Sequence, residues 1–159
     1  MLISEEAYKT SEIEGEILDR DSLQSSIRRH FGLKTDNRRI PAAEQGIAEM
    51  LVDLYKTYNA PLNSQRLFLW HEMLTNGRRD LQDMGRYRTH EEPMQIVSGS
   101  LHEPKVHFEA PPSKDVPSHM EAFISWFNGQ GAKAGAKLPI LLRSGIAHIW
   151  FESIHPFED

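Results

Sequence analysis

The sequence predicts a mainly α-helical fold with one small β-hairpin. Apolar residues recur at helical spacing over most of the 159 residues, whereas residues 94–97 and 106–108 are short runs typical of strands. Prolines and glycines separate these two runs from the helical segments. With 39% hydrophobic side chains and no cysteine, the chain is expected to fold around an ordinary apolar core without disulfides.

The first helix is expected over residues 4–18, with acidic side chains early in it. Gly15 interrupts its pattern, and a glycine inside a helix usually indicates a close approach by another segment. Gly32 is expected to end the second helix, because glycine readily adopts the left-handed conformation of a helix C-terminus. The helices after the first are expected at residues 21–31, 42–58, 63–77 and 116–128, and from 138 to about 154.

The last helix leads into a short loop of chemically active residues. It is apolar on nearly every side, which predicts a buried central helix. Pro156 predicts its end and an extended backbone at His155. A histidine at the end of a rigid helix is suited to act as a general base, since an imidazole pKa of about 6.5 allows proton transfer near neutral pH. Phe157 is expected to anchor the loop in the core, and the Asp159 carboxylate could hold a hard cation such as Mg²⁺.

Other interpretations of the same residues stay open at this point. A histidine before Pro-Phe is also typical of a helix cap beside a packed aromatic ring. The eight histidines include no HExxH pairing, which disfavours a zinc site. A net charge of −5 disfavours a nucleic-acid surface. Because no apolar run is long enough for a membrane span, we expect a cytoplasmic protein.

Three stretches, in order, resemble parts of the Fic (filamentation induced by cAMP) family. The chain end IHPFED resembles the start of the family signature HPFx(D/E)GNGR. The stretch GRYRTHEEPMQIVSG…VHFEAPP, followed by MEAFISWFN, resembles the family's flap hairpin and its next helix. Near the start, TSEIEG matches the inhibitory pattern (S/T)xxxE(G/N) at Thr10, Glu14 and Gly15. The sequence is therefore identified as a member of the Fic subgroup with an N-terminal inhibitory helix.

The resemblance implies a Fic-type helical bundle with a flap at about residues 93–109. Residues 1–20 would form the inhibitory helix region, and residues 21–159 the N-terminal portion of one incomplete Fic domain. The resemblance implies a protein adenylyltransferase, which transfers AMP from ATP to a hydroxyl side chain of a target protein. The implied partners are ATP and a target protein docked on the flap. We expect no membrane partner and no nucleic-acid partner for this portion, and whether the chain forms a homodimer is left open.

Site roles follow from the resemblance residue by residue. His155 would deprotonate the target hydroxyl, Asp159 would bind Mg²⁺, and Pro156 with Phe157 would anchor the loop. In the flap, Gln95, Ile96 and Val97 would align the target segment by strand addition, with Ile96 clamping the target side chain. On the first helix, Glu14 would pair with an arginine of the signature and make the protein autoinhibited.

The sequence departs from the family pattern at its end. The GNGR part of the signature is absent, and with it the phosphate-binding amides and the arginine that Glu14 would meet. We therefore expect these 159 residues to be an inactive fragment of a longer Fic protein. Two alternatives are a non-enzymatic binding module with a vestigial site, and a Fic-fold enzyme that transfers another phosphate-containing group.

Overall fold

The computed structural model is mainly α-helical with one antiparallel hairpin, as the sequence predicts. It describes residues 2–13, 15–36, 38–100, 103–129 and 138–158. The helices are α1 (Leu2–Ile13), α2 (Arg20–His30), α3 (Ala42–Thr57), α4 (Ser64–Leu74), α5 (Val116–Phe127) and α6 (Ile140–Ile154), and the strands are β1 (Gln95–Ser100) and β2 (Glu103–Glu109). For α3 and α5, the predicted bounds agree with the structure to within one residue at each end.

The chain forms two compact units. One contains Met1–Ala60 and Leu69–Asp80, and the other contains Pro61–Phe68 and Leu81–Asp159. Helix α4 contributes its first residues to the second unit and its remainder to the first.

The core of the first unit lies among α1, α2 and α3. Apart from Leu18, which lies between α1 and α2, its buried side chains follow helical spacing, because each helix turns one apolar face inward. They are Ala7, Leu18, Leu23, Ile27, Ala48 and Leu51. At Gly46 on α3 the backbone passes so close to Met73 that an added Cβ would lie 1.8 Å from the Met73 carbonyl oxygen. Only glycine fits there.

Helix α1 ends earlier than predicted, at Ile13. The N–H of Gly15 donates to the Glu12 carbonyl at 3.2 Å, and the N–H of Glu16 donates to the Ser11 carbonyl at 2.9 Å. These two bonds form a Schellman motif, whose left-handed position is Gly15 at φ +84°. In the part of the chain that the structure describes, nothing lies within 4 Å of a Cβ added on Gly15, so the expected close approach is wrong. This glycine serves the backbone conformation instead.

The second unit is built on the packing of α5 against α6. Val116, Met120 and Phe123 of α5 are buried at spacings of four and three residues. The Phe123 ring centroid lies 5.7 Å from those of both Trp150 and Phe151 on α6. Aromatic rings at these distances add favourable edge contacts to the burial of apolar area.

The prediction that α6 is buried on every side is wrong. Among its apolar residues, Ile140 is 78% exposed, Leu141 86% and Ile149 68%, while Ile154 is buried. A helix buries only the faces against which another element packs, and the apolar pattern does not specify how many faces have such a partner. Among the described helices, none combines the length and hydropathy that crossing a bilayer requires.

The hairpin is irregular, as the sequence predicts. Ile96 pairs with Phe108 and Val97 pairs with Val106, so β2 contains one extra residue at this point. Such a bulge increases the local twist and redirects the strand. The Ala110 N–H donates to the Met94 carbonyl at 2.9 Å and closes the base of the hairpin.

Candidate active site

His155 ends α6 and is its C-terminal capping residue. Its N–H donates to the Phe151 carbonyl at 3.0 Å, and its backbone is left-handed, with φ 45° and ψ 65°. Among the described residues it is the one non-glycine residue with positive φ. The extended backbone predicted from Pro156 is therefore wrong. Proline disfavours the right-handed helical region before it, but it leaves the choice between extended and left-handed backbone to tertiary contacts.

Arg88 supplies the strongest of these contacts. Its side chain is only 2% exposed. Its guanidinium donates to the His155 carbonyl at 2.6 Å, to the Ile154 carbonyl at 3.3 Å, to the Pro111 carbonyl at 2.6 Å and to Ser113 Oγ at 2.7 Å. Burial lowers the pKa of Arg88. The planar guanidinium thus connects the end of α6 to the segment that leaves the hairpin.

The loop after α6 is also bound through backbone groups. The Arg88 N–H donates to the carbonyl of the buried Pro156 at 2.9 Å. The Glu158 carboxylate accepts the N–H groups of Gln82 and Asp83, each at 2.8 Å. The segment before the hairpin therefore binds the histidine loop on both sides of Phe157.

Asp83 rigidifies the segment that makes these contacts. Its carboxylate is buried, accepts the Thr89 N–H at 2.5 Å and the Thr89 hydroxyl at 2.8 Å, and pairs with Arg86 at 2.6 Å. Burial by itself raises the pKa of Asp83, but the Thr89 hydrogen bonds and the Arg86 charge outweigh it and leave this pKa below its ordinary value. The carboxylate is thus ionised at neutral pH.

Phe157 packs in a cluster of aromatic rings beneath the loop. Its ring centroid lies 5.6 Å from that of Tyr87, 6.2 Å from that of Phe151 and 6.3 Å from that of Phe68. The Tyr87 hydroxyl donates to Ser64 Oγ at 2.9 Å, and burial raises the pKa of Tyr87. The cluster fixes the side chain that follows Pro156, which is the position expected of a loop anchor.

A cleft of about 480 Å³ opens beside His155. Apolar hairpin residues and polar residues of α6 line it together. Its lining residues are Met94, Gln95, Ile96, Phe108, Ala110, His148, Ile149, Glu152, Ser153 and His155. The cleft therefore combines an apolar contact surface with an imidazole, a carboxylate and a hydroxyl, the groups that could orient a hydroxyl substrate and accept its proton.

The structure brings together some of the predicted flap residues and His155. Gln95 and Ile96 line the cleft with His155, while Val97 is exposed on the hairpin and is not part of the lining. The Gln95 amide donates to the Glu109 carboxylate at 2.5 Å across the two strands. Ile96 is 63% exposed, so its side chain is accessible to a docked segment.

The predicted inhibitory residues lie in the first unit. Thr10 is exposed on α1, and its hydroxyl donates to the Glu6 carbonyl at 2.8 Å. Gly15 is exposed at the end of that helix. Glu14 lies outside the described residues.

Asp159, the predicted Mg²⁺ ligand, also lies outside the described residues. In the part of the chain that the structure describes, no three histidine, aspartate or glutamate side chains are grouped so that they could hold a metal ion.

The sequence reasoning missed Arg88 and Glu158. Nothing local distinguishes Arg88, which is buried, from Arg86 two residues earlier, which is exposed. Glu158 occupies the variable position of the signature, where no particular side chain is expected. The one sequence signal for Arg88 is its place in the GRYR stretch, which belongs to the motif that resembles the family's flap.

Comparisons with known proteins identify the family of this chain. Residues 61–159 match the model of the Fic/DOC family, and residues 1–33 match a domain of unknown function (DUF4172). Because the first of these matches covers more than half of the chain, the chain belongs to the Fic/DOC family.

Eighteen chains of solved structures also match. One is the crystal structure, at 2.70 Å resolution, of a Fic family protein from Desulfovibrio desulfuricans G20, with 24% sequence identity and a TM-score of 0.47. The match covers 99% of the present chain and 41% of that one, so the present chain spans less than half the length of this relative. No curated protein matches.

Proposed function

We propose that this chain belongs to a protein adenylyltransferase, which transfers AMP from ATP to a hydroxyl side chain of a target protein. One observation supports the proposal above all: His155 lies at a fixed helix end in a cleft that it shares with the hairpin, in a member of the Fic/DOC family. The present chain spans 41% of the Desulfovibrio relative, so the activity of the whole protein is itself part of the proposal.

In the proposed reaction, neutral His155 accepts the proton of the target hydroxyl. The hydroxyl oxygen attacks the α-phosphorus of ATP and forms the new P–O bond, while the bond to the bridging oxygen breaks. Pyrophosphate leaves with that electron pair, and the proton stays on the imidazole until solvent removes it. Rigid support of His155 matters here, because general-base catalysis depends on the distance between the base and the hydroxyl.

Mg²⁺ is proposed as the ion that accompanies ATP. It would neutralise phosphate charge when bound. Asp159 is its proposed ligand.

The hairpin is the proposed docking surface for the target. Four of its apolar side chains are exposed: Ile96, Val97, Val106 and Phe108 are 63%, 51%, 48% and 40% exposed. An extended target segment would pair with a strand edge through main-chain hydrogen bonds and cover these side chains. Main-chain pairing places a hydroxyl residue at the cleft without requiring one particular target sequence.

Autoinhibition by Glu14 is proposed from the TSEIEG motif. A carboxylate that pairs with a phosphate-binding arginine competes with ATP for it, because carboxylate–guanidinium bonds are strong and directional. Gly15, which follows Glu14 in the motif, has a left-handed backbone with φ +84°.

The test uses the polypeptide as encoded, with any residues that follow Asp159. Protein labelling from ATP labelled at its α-phosphate is measured for the wild type and for Glu14→Gly. Glu16→Gly is the matched control, because it also places a second glycine beside Gly15. We expect Glu14→Gly to increase labelling and Glu16→Gly to leave it unchanged. Adding His155→Ala to Glu14→Gly should lower labelling about 10²- to 10⁴-fold, the usual contribution of a general base.

Three results would argue against the proposal in different ways. Negligible labelling in every variant would contradict the transferase. Equal labelling of wild type and Glu14→Gly would contradict autoinhibition alone. Labelling that persists without His155 would assign the base to another residue.

A further inference from the structure

We propose that Arg88 is a positioning residue, which holds His155 in the left-handed conformation that AMP transfer requires. The inference rests on the proposed function for its catalytic consequence. Its structural part concerns only the described contacts of Arg88. Arg88 does not line the cleft, so it would act through His155 and not on the substrate.

The contacts of Arg88 concentrate on one short stretch of backbone. Three successive carbonyls at the end of α6 accept its hydrogen bonds: those of Ile154 and His155 from the guanidinium, and that of Pro156 from the Arg88 N–H. A helix end leaves its last carbonyls without intrahelical partners, so these acceptors need donors from elsewhere. One residue supplies all three, and this fixes the direction of three consecutive peptide groups.

The conformation that Arg88 stabilises is one that His155 would not favour alone. A side chain with a Cβ is strained at φ 45°, and such residues persist where the surrounding structure compensates. One of the two guanidinium bonds of 2.6 Å runs from Nε to the carbonyl of His155 itself, and the other goes to the Pro111 carbonyl. A change of His155 to extended backbone would turn this carbonyl away from Arg88 and re-aim the imidazole.

The chemistry of the Arg88 site also indicates positioning. Burying a guanidinium without a carboxylate partner is unfavourable. In the described part of the chain, the Arg88 guanidinium donates to three backbone carbonyls and to the Ser113 hydroxyl. Lysine would keep the charge but could not span the same acceptors, because its donors diverge from a single nitrogen. The Pro111 and Ser113 contacts place the hairpin exit and the start of the α5 segment in the same network.

The experiment compares Arg88→Lys with Arg79→Lys, because Arg79 is an exposed arginine outside the described hydrogen-bond network of Asp83 and Arg88. Transfer kinetics are measured in the polypeptide as encoded, in a Glu14→Gly background. The φ angle of His155 is measured by NMR from its Hα–HN coupling and chemical shifts. For Arg88→Lys we expect a folded protein with kcat lowered roughly 10- to 100-fold, an unchanged KM for ATP and a changed His155 φ. Arg79→Lys should change none of these.

Ser113→Ala provides a milder variant if Arg88→Lys fails to fold. It removes one acceptor of the guanidinium and should shift the His155 signals in the same direction with a smaller loss of kcat. An Arg88→Lys or Ser113→Ala protein with wild-type φ at His155 would overturn the inference. So would a fall in transfer that merely follows the unfolded fraction. If no variant transfers AMP, the proposed function fails, and the His155 φ angle alone decides the role of Arg88.

Discussion

Glu158→Gln tests the binding of the histidine loop to the segment before the hairpin. One Glu158 oxygen accepts the N–H groups of Gln82 and Asp83, each at 2.8 Å. A hydrogen bond to a charged group contributes about 1.5–3 kcal/mol, and a half-exposed one lies at the low end. The amide oxygen of glutamine keeps both acceptor contacts but loses the charge. We therefore expect the free energy of unfolding to fall by about 1–2 kcal/mol, which lowers Tm by roughly 2–8 °C in a protein of this size.

Thermal unfolding followed by circular dichroism measures this loss. Glu121→Gln is the matched control, because Glu121 is exposed on α5 and the change should stay within about 0.5 kcal/mol. Hydrogen exchange adds a local readout, since the amides of Gln82 and Asp83 should lose protection in Glu158→Gln. A Glu158→Gln protein with unchanged Tm and unchanged exchange at both amides would refute the assignment.

Two further predictions concern stability. Asp83→Asn should lose about 1–3 kcal/mol at pH 7, since the charged hydrogen bonds from Thr89 and Arg86 are weakened. The folded pKa of Asp83 is depressed, so its contribution to the free energy of unfolding is fully present above the ordinary pKa of about 3.9 and is lost as pH falls through the folded pKa. The difference in stability between Asp83→Asn and wild type should therefore narrow below about pH 4 in acid-unfolding curves. A difference that stays constant down to low pH would contradict this. Gly46→Ala should lower the free energy of unfolding by about 3 kcal/mol or more, because the added Cβ would clash with the Met73 carbonyl. Gly145→Ala, where no described atom lies within 4 Å of the added Cβ, should raise it by about 0.5–1 kcal/mol. Equal melting temperatures of the two variants would show that the close contact at Gly46 is absent.

Local signals predicted the helices well. Gly32 ends α2 as expected: it has φ +68°, and its N–H donates to the Arg29 carbonyl at 3.0 Å. Asn63 caps α4 through its side chain, which accepts the Arg66 N–H at 2.8 Å. In both cases the determining interactions lie within a few residues of sequence, so propensity and capping rules apply directly.

Tertiary contacts explain what the sequence could not predict. The apolar residues of α6 indicate contact with other groups but not which faces have partners, and Leu141 is 86% exposed. The backbone of His155 follows the hydrogen bonds of a residue 67 positions earlier instead of the local rule for proline. The motifs of the sequence indicate His155 and the hairpin, but the supporting residues, Arg88 and Glu158, make their contacts with residues 67 and 76 positions away, which no local pattern specifies.

The most direct test of the proposed adenylyltransferase compares two labelled forms of ATP on the Glu14→Gly polypeptide as encoded. One carries the label at the α-phosphate and the other at the γ-phosphate, and protein-bound label is measured with and without His155→Ala. AMP transfer predicts α-label on protein, no γ-label, and loss of the α-label when His155 is replaced. Protein labelled from the γ-phosphate, or α-label that does not depend on His155, would contradict the account.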